Sequence, residues 1–271
     1  MREYCGKTVV ITGAGGGIGA AMADEFTSRG AHLALSDIDG VSLDETVRRC
    51  AARGATVAGE VLDVADRDAI YDYASHVAAK FGEIHVVVNN AGVAVHGPVI
   101  ETADDDLEWI MRINFWGVVH GSRAFLPHLI ASGDGQLANV SSIFGLVAAP
   151  KDAAYNASKF AVRGFTESLR QELRLSGAPV AVSCVMPGGI KTGIARSARV
   201  AGDDPDSVQK LFDRVAMTSP DKAARIIING LRRDQARILV GPDAHAIAVL
   251  PRVFGAQYGL LVESAARMLG A

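Results

Sequence analysis

Cysteine is scarce in this chain, and its placement excludes several kinds of site. Only three cysteines, Cys5, Cys50 and Cys184, occur among 271 residues. Their odd number and wide separation give no CxxC motif and no metal-binding spacing, and they suit a reducing cytoplasm. We therefore expect buried cysteines that act as small apolar residues, and no metal site.

An excess of basic charge and a long hydrophobic run are also missing. The formal net charge is −3 with both signs interspersed, so we expect no nucleic-acid partner. Arg2, Glu3 and Lys7 interrupt the first residues, which therefore lack the apolar stretch of a signal peptide. No apolar run approaches the ~20 residues of a bilayer-spanning helix. These features predict a cytoplasmic protein without a membrane span.

Short apolar runs alternate with amphipathic stretches, which is the pattern of a parallel sheet covered by helices on both faces. The predicted strands cover residues 7–12, 32–37, 56–63, 84–90, 135–142, 180–187 and 237–241. The predicted helices cover residues 17–29, 41–53, 66–80, 104–131, 152–175, 204–216 and 220–232. The length favours one domain, 1–271, over two small ones. We predict an α/β fold with a Rossmann-like, doubly wound parallel sheet of seven strands.

Two segments depart from this alternation. Residues 193–218 are rich in small and polar residues and predict an excursion from the sheet rather than a domain boundary. The tail, residues 243–271, carries an apolar helical stripe that Pro251 interrupts. The stripe consists of Leu250, Phe254, Tyr258, Leu261, Ala265 and Met268. It predicts a cover for a substrate cleft, a contact with a sister subunit or a contact with a membrane surface; the scarcity of Lys and Arg opposite the stripe favours the first two.

A glycine-rich turn, TGAGGGIG, follows the first predicted strand and contains Gly13, Gly17 and Gly19. A backbone without Cβ atoms can approach a pyrophosphate, whose charge a helix N-terminus favours. Asp37 closes the second strand, where a carboxylate can accept hydrogen bonds from both adenosine ribose hydroxyls and would repel a 2′-phosphate. No Lys or Arg lies immediately beside it. We predict NAD(H) rather than NADP(H); the alternative role for Asp37 is a cap or turn residue, which Asp39 could equally fill.

Tyr155 and Lys159 are four residues apart in YNASK, so a helix places the phenol and the ammonium on one face. Lowering a phenol pKa from about 10 to about 7 needs roughly 4 kcal/mol of preferential phenolate stabilisation. One positive charge about 5 Å away supplies roughly 3 kcal/mol at an effective dielectric constant of about 20. We predict that Lys159 lowers the pKa of Tyr155, and that a second cation, such as an oxidised nicotinamide ring, supplies the remainder.

Further short motifs follow the strands in a fixed order. They are Asn89-Asn90-Ala91-Gly92, Ser141-Ser142, YNASK and Pro187-Gly188. Together with the glycine turn, they make residues 5–192 strongly resemble the short-chain dehydrogenase/reductase family. In an open α/β sheet, the carboxyl edge that these motifs share is also the edge where ligands bind.

The resemblance implies a catalytic set of four residues. It makes Tyr155 the general acid/base, and Lys159 both the cation that lowers its pKa and a donor to the nicotinamide ribose. Ser142 would hydrogen-bond the substrate oxygen; Ser141 is the weaker candidate because adjacent strand residues point to opposite faces. Asn114 would hold a water that links the lysine to bulk solvent.

The resemblance also implies the cofactor contacts. Asp63 and Val64 would contact adenine. Asn90 and Gly92 would shape the strand end beneath the cofactor. Ile190 and Thr192 would bind the nicotinamide carboxamide. The full set is Gly13, Gly17, Ile18, Gly19, Asp37, Asp63, Val64, Asn90, Gly92, Tyr155, Lys159, Pro187, Gly188, Ile190 and Thr192.

The residues expected around the reacting carbonyl are mostly apolar. They are Val93, Val95, His96, Phe144, Leu146, Val147, Met186 and parts of the excursion. They favour a secondary alcohol or ketone on a lipophilic body, with a small diketone or hydroxyketone as the alternative. We expect His96 at the pocket rim rather than in catalysis.

Other functions and assemblies stay open at this point. A dinucleotide-binding regulatory protein without turnover is one alternative, although such a role would not require all four catalytic residues. Epimerisation or dehydration through a transient ketone is another. The resemblance implies a homo-oligomer, dimer or tetramer, that packs through the YNASK helix and the helix before it. Ala153, Ala157, Ala161 and Phe165 would allow this close packing.

Overall fold

A seven-stranded parallel sheet forms the centre of the computed structural model, which describes residues 3–269. The predicted domain 1–271 and tail 243–271 include residues 1, 2, 270 and 271, which lie outside the described residues. The sheet strands are β1 (Thr8–Thr12), β2 (His32–Asp37), β3 (Val57–Val61), β4 (Val86–Asn89), β6 (Gly135–Val140), β7 (Val180–Pro187) and β9 (Arg237–Val240). Two further strands, β5 (Val95–His96) and β8 (Arg199–Val200), pair with each other outside the sheet.

Helices cover both faces of the sheet. They are α1 (Gly17–Ser28), α2 (Gly40–Ala52), α3 (Arg67–Phe81), α4 (Asp104–Met111), α5 (Gly117–Ala131), α6 (Ala153–Leu175), α7 (Pro205–Val215), α8 (Pro220–Arg232), α9 (Pro242–Phe254) and α10 (Tyr258–Leu269). Because side chains alternate along a strand, Val9 packs with Met22 of α1 on one face and Val10 with Phe125 of α5 on the other. This confirms the predicted α/β fold.

The strand order β3-β2-β1-β4-β6-β7-β9 places β1 beside β4 at the centre of the sheet. The chain runs outward from β1 to β3, then returns and runs outward on the other side. The loops after β1 and β4 therefore diverge and leave a crevice at the carboxyl edge, which is where open α/β sheets bind ligands. The sequence motifs lie at this edge because they follow these strands.

The predicted helix 104–131 contains a π-helical turn that the sequence did not indicate. Residues Arg112–Trp116 form this turn between α4 and α5. Such a turn adds one residue to the helical period without an insertion that a hydrophobic pattern would reveal. It places Asn114 in the interior, with no exposed surface.

The tail differs from its prediction in two respects. Its helix continues through Pro251 and changes at Gly255, whose φ of 53° is left-handed and favours glycine. The predicted stripe stays largely at the surface, with Phe254 45% and Met268 80% exposed. Of the stripe, Tyr258 packs against the body of the protein, together with Ile247 and Ala248, which the stripe did not include.

By length and composition alone, the tail contains one helical segment that could cross a bilayer, although no uninterrupted apolar run in it approaches 20 residues. The helical segment Pro242–Met268 has 27 residues, and its most apolar 18-residue window has a mean hydropathy of 1.2 and is 6% buried. The segment also carries Asp243, Arg252, Glu263 and Arg267. The sequence interpretation missed it because these charges divide the segment into short apolar runs.

The cysteine prediction is confirmed at two positions and wrong at one. Cys50 and Cys184 are fully buried, whereas Cys5 is exposed. Cys5 lies in a turn that precedes β1 and is outside the sheet.

Candidate active site

Tyr155 lies in the first turn of α6, and Lys159 lies one turn further along the same face. The Lys159 ammonium is 5.5 Å from the centre of the Tyr155 ring and donates to the Val140 carbonyl at 3.2 Å. The lysine is 3% exposed, and burial lowers its pKa to about 8. The helix therefore brings the predicted pair together, with the ammonium anchored to the end of β6.

Burial raises the pKa of Tyr155 to about 12, while a hydrogen bond with Ser142 acts in the opposite direction. Within the protein chain alone, the pKa of Tyr155 therefore lies above its ordinary value, and the lowering by Lys159 together with a second cation stays a prediction. The desolvation of the phenolate dominates, and the lysine is itself destabilised as a cation by its burial. An added positive charge next to the phenol would have to offset this cost.

Ser142 and Ser141 have different partners, as adjacent residues of an extended segment should. The Ser142 hydroxyl accepts from the Phe144 N–H at 3.1 Å and caps the short turn Ile143–Gly145. Ser141 points away and donates to the Lys159 carbonyl at 2.7 Å inside the protein. Only Ser142 can share a reacting oxygen with Tyr155.

Asn114 connects the loop after β4 to the YNASK helix. Its side-chain oxygen accepts from the Val93 N–H at 2.8 Å, and its amide donates to the Val93 carbonyl at 2.9 Å and to Ser158 at 3.0 Å. Ser158 in turn donates to the Tyr155 carbonyl at 2.8 Å. The sequence analysis missed Ser158, although it lies within YNASK. The water-holding role of Asn114 stays a prediction.

The glycine turn after β1 is closely packed. A Cβ on Gly19 would overlap the Gly13 carbonyl, so only glycine fits there. The Asn90 amide donates to the carbonyls of Thr12 and Gly13 at 3.0 and 3.1 Å, which fixes the turn from the end of β4. Gly16, the N-cap of α1, offers no side chain to its first N–H groups. A pyrophosphate can therefore approach the backbone of this turn closely and meet uncapped N–H groups and the positive end of the helix dipole. Ile18 lies in the first turn of α1.

Asp37 holds the glycine turn through its carboxylate. One oxygen accepts from the Gly15 N–H at 2.8 Å and the other from the Asp39 N–H at 3.0 Å. The N-cap of α2 is Asp39, which accepts from the N–H groups of Val41 and Ser42. The cap alternative for Asp37 is therefore wrong, whereas its bond to the Asp39 N–H, two residues on, is that of a turn residue. A carboxylate has about four acceptor sites, so Asp37 keeps capacity for two ribose hydroxyls.

The predicted adenine contacts lie at the end of β3. Asp63 is exposed and accepts from the Ala65 N–H at 2.8 Å, while Val64 lies against Gly117 at the start of α5. Asp66, not Asp63, caps α3. The Asp63 carboxylate thus stays at the rim of the crevice, with one oxygen bonded locally.

The segment after β7 reaches back to the glycine turn. A Cβ on Gly17 would lie 3.1 Å from the Thr192 methyl group, so the turns after β1 and β7 are neighbours. Ile190 is 3% exposed and pairs with Thr218. Gly92 faces the side chains of Asn114 and Lys159. The turns after β1, β4 and β7 therefore meet at the crevice.

Apolar side chains surround the Tyr155 ring. Phe144 packs against it edge to face, with ring centres 6.2 Å apart. Val93 and Val95 lie in the same apolar cluster as Tyr155. Beyond Phe144, a second cluster contains Leu146, Val147, Met186 and, from the tail, Ile247 and Tyr258. The Tyr258 hydroxyl accepts from the Ala148 N–H at 3.1 Å.

His96 lies between two carboxylates at the rim of this region. Its Nδ1 is 2.9 Å from Asp152, the residue before α6, and its Nε2 is 3.4 Å from Asp203 of the excursion. Lys151 also reaches Asp203, at 3.1 Å. The hydrogen bond with Asp152 is the main cause that raises the pKa of His96. The sequence analysis missed these partners, since Asp203 is far from His96 along the chain.

The model of the short chain dehydrogenase family matches residues 7–202. The chain belongs to that family. It is 52% identical over 266 residues to "Putative oxidoreductase SadH" of Mycobacterium tuberculosis, covering 97% of this chain and 96% of the relative. It is 31% identical to "Estradiol 17-beta-dehydrogenase 11" of Rattus norvegicus, covering 93% and 81% of the two chains.

A solved relative has the same fold. A short chain dehydrogenase/reductase from Burkholderia phymatum in complex with NAD superimposes with a TM-score of 0.88 at 31% identity, covering 93% of this chain and 95% of the relative. The resemblance stated from the motifs is therefore confirmed. The chain is therefore an oxidoreductase of this family.

Proposed function

We propose that this oxidoreductase interconverts a secondary alcohol and a ketone on a lipophilic substrate, with NAD(H) as the cofactor. The observation that carries the proposal is the position of Ser142 beside Tyr155, where its side chain acts to lower the pKa of the phenol, inside an apolar site. A phenol and a hydroxyl placed together in this way can hold one substrate oxygen between them. The apolar surroundings suit a carbon skeleton with few polar groups.

In alcohol oxidation, Tyr155 takes the hydroxyl proton and Ser142 holds the substrate oxygen as it becomes a carbonyl. NAD, when bound, accepts the hydride from the carbinol carbon, and reduction is the reverse. Lys159 orients the nicotinamide ribose and favours the phenolate. Asn114 fixes the loop at Val93 and holds the water that links the lysine to bulk solvent. General acid/base catalysis of this kind contributes roughly 10²–10⁴-fold.

Asp37 is the basis for choosing NAD(H). Its carboxylate lies at the end of β2 and braces Gly15, so a 2′-phosphate would meet a fixed negative charge. The relative from Burkholderia phymatum supports this choice because it was crystallised with NAD. Asp63 and Val64 would contact adenine, and Ile190 and Thr192 the carboxamide.

The lipophilic substrate is supported by one relative and by the tail. The rat relative is named for a steroid alcohol, a secondary alcohol on a lipophilic body. In this chain, Tyr258 and Ile247 extend the apolar cluster that begins at Phe144. We propose that the tail forms one wall of the substrate cleft within a single domain.

Assembly and location belong to the same proposal. α6 presents the exposed residues Ala153 and Ala157, and Phe165 packs edge to face on Phe115 of the preceding helical segment. We propose a cytoplasmic homo-oligomer that packs through these helices. Light scattering on the purified protein would show a dimer or tetramer, and a monomer would contradict this part.

A screen of hydrophobic secondary alcohols with NAD⁺ and NADP⁺, read at the absorbance of the reduced nicotinamide, tests the function. We expect turnover with NAD⁺ and lipophilic alcohols. A preference for NADP⁺ would contradict the role of Asp37, and faster turnover of small hydroxyketones would contradict the substrate class. Cofactor binding with no turnover of any alcohol or ketone would identify a binding protein.

A further inference from the structure

Gly189 is fixed by residues from outside its own turn. Its N–H donates to the Asp243 carboxylate at 2.6 Å. Its carbonyl accepts from the N–H groups of Met217 and Thr218 at 3.0 and 3.1 Å. Both backbone polar groups of this residue are thus held by segments that arrive from later in the chain. The turn after β7 owes its position to these contacts.

The Asp243 carboxylate is inserted between the ends of two neighbouring strands. Gly188 follows β7 and Gly241 follows β9, and a Cβ on Gly188 would overlap the carboxylate. A Cβ on Gly241 would lie 2.5 Å from the Asp243 oxygen and 2.9 Å from the Thr218 hydroxyl. Glycine at both positions leaves the space that the carboxylate fills. A side chain of this size, with an acceptor oxygen aimed at the Gly189 N–H, fits this space.

Displacement at Gly189 would be passed on to the residues that follow it. Ile190 pairs with Thr218, and the Lys191 N–H donates to the Thr218 carbonyl at 2.9 Å. Thr192 then lies against Gly17 of the glycine turn. The backbone from Gly189 to Thr192 therefore connects Asp243 to the residues that line the crevice.

We infer that Asp243 is a positioning residue for the nicotinamide end of the cofactor site. It holds the Gly188–Thr192 turn through Gly189 and ties the first helix of the tail, α9, to that turn. The inference rests on the proposed NAD(H) function, in which Ile190 and Thr192 bind the carboxamide. Asp243 itself touches neither the reacting atoms nor the part of the site that binds the adenosine half.

The chain offers a matched control for Asp243. Asp221 is the second residue of α8 and follows Pro220, as Asp243 is the second residue of α9 and follows Pro242. Each carboxylate stabilises the N-terminus of its helix by its interaction with the helix dipole. Asp221 is exposed and no contact joins it to the turn after β7 among the described residues. Any effect of Asp243 on the turn will therefore be absent at Asp221.

The test measures the affinities of the full-length protein for NADH and for ADP-ribose, which lacks nicotinamide. We expect Asp243→Ala to weaken NADH binding about tenfold or more, because a buried N–H loses a charged acceptor. The affinity of Asp243→Ala for ADP-ribose should change by less than about twofold, because Asp243 does not contact the part of the site that binds the adenosine half. Asp243→Asn keeps an acceptor oxygen and should restore most of the NADH affinity, and Asp221→Ala should match the wild type.

Two results would overturn the inference while leaving the proposed function intact. One is equal NADH affinity in Asp243→Ala and wild type; the other is equal weakening of NADH and ADP-ribose in Asp243→Ala, which would indicate general damage to the fold. If Asp243→Ala does not fold, failure of the folded Asp243→Asn to retain NADH affinity has the same meaning. A wild-type protein that binds neither ligand would overturn the proposed function and the inference together.

Discussion

The carboxyl edge of the sheet and the segment after residue 192 are held in different ways. At the edge, Asn114 and Lys159 are buried and bonded to backbone groups of neighbouring elements. The excursion is held by side chains near the surface: Arg199 pairs with Asp106 at 2.7 Å while remaining 45% exposed. Arg199 also stacks on Trp109, 3.8 Å from the ring centre.

This difference separates the reaction from the choice of substrate. Buried hydrogen bonds to the backbone fix a geometry under most solution conditions, since breaking one leaves a polar group unpaired. Exposed ion pairs contribute about 0–1 kcal/mol each and weaken with salt. We therefore expect changes at the sheet edge to abolish chemistry, and changes in the excursion and in the apolar part of the tail to alter substrate affinity. Asp243 is the exception beyond residue 192, because it holds the turn after β7.

The largest effect is expected for Tyr155→Phe. It removes the only proton that the ring can exchange, so turnover should fall roughly 10²–10⁴-fold. NADH affinity, measured by fluorescence titration, should remain near the wild-type value. Tyr71→Phe, at an exposed position on α3, is the control and should be fully active. Retention of more than a few per cent of turnover would remove Tyr155 from the mechanism.

Asn114→Ala should cost about 2–4 kcal/mol of unfolding free energy, because it leaves both backbone groups of Val93 and the Ser158 hydroxyl without their partner. Denaturant unfolding measures this cost. Asn156→Ala is the control: its buried amide donates to the Ala149 carbonyl alone, so about 1 kcal/mol is expected. Equal losses in the two variants would contradict the bracing role of Asn114.

Asp37→Asn should shift cofactor preference by about tenfold toward NADP⁺, because it removes a negative charge where the 2′-phosphate would lie. The ratio of kcat/KM for the two cofactors measures the shift. Asp39→Asn lies two residues away, keeps the acceptor that caps α2, and should leave the ratio unchanged. If both variants behave alike, the charge at residue 37 does not select the cofactor.

A smaller effect is expected from the protonation of His96. The cation can donate to Asp152 and Asp203 at once, whereas the neutral ring can donate to only one of them. Because the pKa of His96 is raised, this contribution is fully present below its ordinary value near 6.5 and is lost as the pH rises through the raised value. Lys151 also pairs with Asp203, at 3.1 Å.

We therefore expect the substrate KM to rise a few-fold across that pH range while cofactor affinity stays constant, as befits an interaction of at most about 1 kcal/mol. Steady-state kinetics from pH 6 to 9 measure the change. His96→Asn keeps a donor toward Asp152 but cannot titrate, and its KM should follow a flat profile. A wild-type profile as flat as that of the variant would contradict the role of His96.

The sequence predicted what depends on local pattern and failed where distant segments meet. The glycine turn, Asp37 and the Tyr155–Lys159 pair were predictable because each lies within one strand-to-helix unit. Asp243 is 54 positions beyond Gly189, and no spacing rule connects them. The raised pKa of Tyr155 was missed because burial is a property of the packed site, whereas the helical spacing shows only the charge.

Tyr258→Ala tests the separation of reaction from substrate choice most directly. The change removes an aromatic ring from the cluster around Phe144 and the hydrogen bond to Ala148. Steady-state kinetics with a hydrophobic secondary alcohol, together with NADH titration, should show a KM for the alcohol about tenfold higher, with kcat and NADH affinity within about twofold of wild type. Weaker NADH binding, or an unchanged KM for the alcohol, would contradict the account.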